Sequence, residues 1–225
     1  MVQSSTHGTD HACLLDAIAQ LGSGARGVGM VHAAVRDAEL RRLTQGGIRA
    51  ARFLMTPGGV VGWDELERLA ARVVHAGWFV NLQIRGSMLL DKLDTIARLP
   101  GPVVIDHMGN LGPIEPSHPS VRALLHLLDS GDVWVKMSAP YAGGAMGRFP
   151  YHAAGPLAQA LVRHAPNRLI WGSDWPHTFL TQVHHQPAPD GADLFDLLLD
   201  WVEDAAVLHQ ILVDNPTQLI GATLS

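Results

Sequence analysis

Leu169-Ile170-Trp171-Gly172-Ser173-Asp174-Trp175-Pro176-His177 is the stretch whose reading decides the fold. An apolar run ends at a glycine, and the chain then turns with a carboxylate and an imidazole on it. That is the form of a buried parallel strand whose C-terminal end opens into a loop. A second stretch repeats it: Val103-Val104-Ile105-Asp106-His107-Met108-Gly109-Asn110. Working outward from these two, seven strands are predicted, at Val2–Ser4, Gly27–Val31, Ile48–Leu54, Trp78–Ile84, Val103–His107, Val133–Met137 and Leu169–Gly172. Between and after them, apolar residues at helical spacing, such as Leu66, Leu69, Ala70 and Val73, predict helices. These cover Ala12–Leu21, Asp37–Gln45, Trp63–Ala76, Met88–Leu99, Ser120–Ser130, Gly155–His164, Asp193–Val202 and Asp204–Val213. Gly46-Gly47, Gly77 and Gly131 follow helices, where a residue with positive φ ends one element before the next.

Strand and helix in alternation predict an α/β fold with a parallel sheet. An open doubly wound sheet that binds dinucleotides carries G-x-G-x-x-G after an early strand, and that motif is absent after Val2–Ser4 and after Gly27–Val31. The reading is therefore a (β/α)8 barrel of the TIM type in a single domain, residues 1–225. Seven strands are visible and the chain opens directly in one, so the first strand–helix unit is expected to be missing. Such a barrel leaves two edges with unpaired backbone groups, which makes a homo-oligomer a reasonable expectation. Ala139–Pro150, rich in Gly and Ala, is the predicted mobile loop, and Gln182–Gly191 the next.

The composition narrows the function. The 225 residues are 47% hydrophobic and carry a formal net charge of -5, with no long basic run, so neither nucleic acid nor an anionic membrane is an expected partner. A small-molecule substrate is. The one cysteine, Cys13, cannot form an internal disulfide, and Met1–Asp10 lacks the form of a signal peptide. Both suit the cytoplasm.

In a parallel barrel, reactive groups stand at the C-terminal ends of strands. That filter selects Ser4 and Thr6, Arg49 and Arg52, Gln83 and Arg85, His107 and Asn110, Lys136 and Ser138, and Asp174 and His177. A carboxylate beside an imidazole can activate water, and the imidazole can polarise a carbonyl and stabilise its developing charge. The structural alternative is that Asp106 or Asp174 caps a turn, His107 hydrogen-bonds within the core and Arg52 makes a surface ion pair.

Four segments resemble the amidohydrolase-related (amidohydrolase 2) family of barrel hydrolases. They are V-Q-S-S-T-H-G-T-D at Val2–Asp10, G-G-I-R-A-A-R-F at Gly46–Phe53, V-V-I-D-H-M-G at Val103–Gly109 and W-G-S-D-W-P-H at Trp171–His177. D-N-P-T-Q-L-I-G at Asp214–Gly221 is similar to the family's last helix, and the nearest likeness is to the 2-pyrone-4,6-dicarboxylate lactonase branch. The resemblance implies that Asp174 accepts a proton from the attacking water and that His107 faces the carbonyl. It also implies that Ser4 and Thr6 contact substrate, that Arg52 clamps a carboxylate through its two-pronged fork, and that Tyr141 lines the pocket. Gln83, Asn110 and His177 complete the expected substrate-binding set.

Two departures qualify this. The family's first-strand H-x-H is absent, and a divalent ion such as zinc needs three or four ligands where only Asp174 and His107 offer themselves. Asn110 and the Ala142–Gly143 region stand where the branch tends to place arginine, implying a less anionic substrate than a dicarboxylate. The expected function is hydrolysis of a lactone or related cyclic ester of a carboxylated small molecule. The alternatives are metal-dependent decarboxylation of an unsaturated acid, and a catalytically incomplete barrel fragment or binding subunit.

Overall fold

The computed structural model describes residues 1–143 and 151–221. Six parallel strands form one sheet in sequential order: β1 (Gly27–Gly29), β2 (Ile48–Leu54), β3 (Phe79–Gln83), β4 (Val103–Ile105), β5 (Val133–Met137) and β6 (Leu169–Trp171). Helices alternate with them: α1 (Ala12–Leu21) before β1, α2 (Asp37–Gln45) before β2, α3 (Trp63–His75), the short α4 (Leu93–Ala97), α5 (Pro119–Asp129) and α6 (Gly155–His164). The chain closes with α7 (Gly191–Trp201), α8 (Ala205–His209) and α9 (Asn215–Ile220). The result is an α/β fold whose sheet is a parallel half-barrel.

The count of strands differs from the seven expected. Val2 makes only an isolated parallel bridge to Val28, through Gln3 N–H to Val28 O and Val28 N–H to Met1 O. The extended stretch ends there because Ser4 turns the chain: its hydroxyl accepts from the Thr6 N–H and starts a 3-10 turn over Ser5–His7. The helix expected at Met88–Leu99 is likewise a 3-10 turn at Gly86–Met88 followed by α4. Beyond α8 the helical path continues through a wide π turn, Gln210–Asp214, into α9. Pro216 has no N–H to offer the carbonyl four residues back, and the wider turn accommodates that loss.

The two faces of the sheet carry different cargo. One packs on α1 to α7 through a large apolar cluster that includes Phe53, Leu82, Ile105, Val135 and Leu169. Residues of opposite parity face the other way, since successive side chains of a strand alternate. At the base of that face Ala50, Phe79, Val104, Trp134 and Ile170 form a second cluster, on which Val28 and α9's Leu219 and Ile220 pack. Two residues further along the same strands come Arg52, Asn81, Asp106 and Lys136, a polar layer. One more step brings the strand exits.

Candidate active site

The polar layer is the floor of the site. Lys136 Nζ donates to Asp106 Oδ1 at 2.5 Å and to Asn81 Oδ1 at 3.0 Å, and Asn81 Nδ2 donates to Asp106 Oδ2 at 2.7 Å. Burial of Asp106 works against its ionisation, but the charges of Lys136, His107 and Arg52, with the Lys136 hydrogen bond, outweigh it and hold the carboxyl at about 2. Asp106 therefore stays an anion and is fully occupied by its neighbours. Of these partners the sequence reading never singled out Asn81. A polar residue inside the apolar run Phe79–Leu82 was the available signal.

Above the floor, the chain leaves β4 by an unusual route. His107, Met108, Gly109 and Asn110 have φ of 55°, 49°, 73° and 51°, so three side-chain-bearing residues occupy the left-handed region. Such conformations cost energy and concentrate at functional sites. Asn110 anchors the turn by donating from Nδ2 to the Ile84 carbonyl at 2.7 Å. After β6, Asp174 and His177 adopt the same region, at φ 59° and 61°.

These two turns bring His107 and Asp174 together. His107 Nε2 lies 3.7 Å from Asp174 Oδ1, just beyond a hydrogen bond, while its Nδ1 lies 2.8 Å from Ser138 Oγ at the end of β5. The other carboxylate oxygen, Oδ2, accepts from the Tyr141 hydroxyl at 2.7 Å. Tyr141 Oη also lies 2.8 Å from His177 Nδ1. Both supporting residues are buried, and Tyr141 is packed edge-on against Tyr151 and His177. Burial, with the Asp174 charge added, pushes the Tyr141 hydroxyl far above its ordinary range. Burial lowers His177, with Asp174 opposing. Tyr141, expected as a substrate contact, thus meets the carboxylate directly, and His177, expected likewise, reaches it through the Tyr141 hydroxyl.

Of the remaining expected residues, Arg52 belongs to the floor, Gln83 ends β3, and Ser4 and Thr6 stand on the turn after the Val2 bridge. Arg52 makes no ion pair among the described residues: Nη1 donates to the Gln3 carbonyl at 2.6 Å and Nη2 to Gln83 Oε1 at 2.7 Å. Ser4 Oγ and Thr6 Oγ1 lie 2.8 Å apart on the adjoining 3-10 turn, with Thr6 exposed. The loops after β4 and β5 meet at Gly112 and Gly143, where a Cβ on either would fall within 2.6 Å of the other's backbone. Residues 144–150 of the expected mobile loop lie outside the described residues.

With Nδ1 of His107 facing Ser138 and Oδ2 of Asp174 bonded to Tyr141, the pair offers one nitrogen and one oxygen to a divalent ion. No group of three or more His, Cys, Asp or Glu that could hold a metal exists among the described residues, so the donor set does not fit one. No described helix is long and apolar enough to cross a membrane. A cavity of about 630 Å³ lies between the outer helices α2 and α3, lined by Leu40, Arg41, Arg72 and His75, and shares no residue with the strand-end constellation.

A family model described as Amidohydrolase matches residues 1–222. D-galactarolactone isomerase of Agrobacterium fabrum is 32% identical over 97% of this chain and 74% of its own length. A 2-pyrone-4,6-dicarboxylate hydrolase of Comamonas testosteroni is 32% identical over 97% and 74%. An apo crystal structure from Agrobacterium tumefaciens superposes with a TM-score of 0.89 at 32% identity, covering 99% of this chain and 79% of that one.

Proposed function

Because the chain belongs to the amidohydrolase family and is a hydrolase of its lactonase-like branch, we propose that it opens a lactone ring, with Asp174 as general base and His107 polarising the carbonyl. The observation that carries this is the 3.7 Å juxtaposition of His107 Nε2 and Asp174 Oδ1, delivered by the exits of two different strands. In this reading the substrate carbonyl oxygen faces Nε2 and the attacking water faces Oδ1. If the Ser138 hydroxyl donates to Nδ1, the neutral ring keeps its proton on Nε2, where it can donate to the oxyanion.

The steps follow. Asp174 takes a proton as the water oxygen bonds to the acyl carbon, and the electron pair of the carbonyl moves onto the oxygen held by His107. The tetrahedral intermediate then collapses, the ring C–O bond breaks, and the proton on Asp174 passes to the departing alkoxide, leaving a hydroxy acid. Every step uses groups of this chain and none passes through a metal.

Arg52, with Gln83 beside it, and the hydroxyls of Ser4 and Thr6 are the substrate's recognition groups in this reading. Each Arg52 terminal nitrogen has one N–H committed within the protein and one to spare, enough for a single carboxylate. The preferred substrate is accordingly less anionic than a dicarboxylate. Decarboxylation is the competing outcome.

The test is turnover of D-galactarolactone and 2-pyrone-4,6-dicarboxylate, followed by product analysis. Asp174→Asn is expected to lower kcat about 10²- to 10⁴-fold while the far-UV circular dichroism stays unchanged. Retained turnover in that variant, or carbon dioxide among the products, would sink the proposal.

A further inference from the structure

The carboxylate of Asp174 is held from behind by a hydrogen-bond chain that leaves the barrel mouth and runs into the protein. Tyr141 has one hydroxyl proton and two neighbours within reach, and it donates that proton to Asp174 Oδ2. The contact at 2.8 Å with His177 must then be made by the imidazole, with Nδ1–H donating to the Tyr141 oxygen. His177 N–H to Tyr141 O–H to Asp174 Oδ2 is therefore a chain with one direction. Tyr141 is 1% exposed and His177 2%, too deep for a substrate that enters from the mouth to meet them first. The ring packing at centroid distances of 5.5 Å to Tyr151 and 6.1 Å to His177 fixes the hydroxyl's position.

We infer that Tyr141 and His177 are positioning residues, which clamp Asp174 so that Oδ2 is tied back and Oδ1 alone faces the water and His107. Without the clamp the carboxylate turns about its own bond and its basic oxygen loses its line to the attacking water. The inference rests on Asp174 being the base. It departs from the sequence reading, in which both residues touch substrate.

Two measurements test it. In the unaltered protein near neutral pH, the ring-nitrogen NMR signals of His177, identified by their loss in His177→Leu, should report a protonated Nδ1 and a bare Nε2. The opposite tautomer overturns the chain, and this arm needs no turnover. Kinetically, Tyr141→Phe should lower kcat ten- to a hundredfold with KM within about twofold, because a misplaced base weakens the transition state and not substrate binding. His177→Leu should follow it in direction, and His177→Gln, whose amide can still donate to Tyr141, should recover part of the loss. A rise in KM at constant kcat would make these substrate contacts and refute the clamp. If Tyr141→Phe fails to fold, the His177 pair decides alone. Failure of the base itself reads differently: Asp174→Asn would keep its turnover while the His177 tautomer stood as stated.

Discussion

Lys136 stands with its ammonium between Asn81 and Asp106, and its side chain is 13% exposed against 2% for the carboxylate it faces. Removing one partner of so buried a pair leaves the other charge without compensation. Lys136→Met is therefore expected to cost about 3–5 kcal/mol in urea unfolding, and adding Asp106→Asn to it should return part of that loss. At this scale the sequence was informative about position and less so about partnership. Asp174 and His107 could be placed because each follows an apolar run, and a strand's end fixes where its next residues emerge. What they touch depends on which strands lie side by side and in what register. Tyr141 could be assigned to a loop but not to Asp174, 33 residues on, and Asn81, a polar residue inside an apolar run, carries no sign of its partner Asp106, 25 residues on.

At the scale of elements, the strand–helix rhythm was legible because a buried parallel strand and an amphipathic helix leave different periods in the chain. Five strands after β1 and the helices α1, α2, α3, α5, α6 and α7 lie where those periods put them. Val2–Ser4 failed as a full strand because a local hydrogen bond, from the Thr6 N–H to Ser4 Oγ, turns the chain against weak extended propensity. The last helix depends on one residue. Asn215, 2% exposed, donates from Nδ2 to the carbonyls of Pro166 and Leu169 at 2.8 and 2.7 Å, tying α9 to the start of β6. Asn215→Ala removes one amide and strands two carbonyls, so thermal or urea unfolding should show a loss of about 2–3 kcal/mol. A loss under half a kcal/mol would mean that α9 is held by Leu219 and Ile220 alone.

For the whole molecule, the face opposite the helices is graded along the strands, from apolar base through charged floor to reactive mouth. The grading ties stability to pH. Asp106 has a folded value of about 2 against 3.8 for the free group, so its contribution is complete above roughly pH 4 and is lost as pH falls through about 2. That is worth on the order of 2 kcal/mol, and Asp106→Asn should flatten the fall in unfolding free energy between pH 5 and pH 2. Equal slopes in the two proteins would contradict it. The meeting of Gly112 and Gly143 has a consequence of another kind. Because the backbones touch there with no side chain to yield, the segments bearing His107 and Tyr141 behave as one rigid wall, and neither can be lengthened or thickened without moving the other. In the proposed reading, room for a bulkier or differently charged ring then comes from the side of Ser4, Thr6 and Arg52. Selection or design for new substrates is expected to rewrite that side and leave the glycine seam untouched.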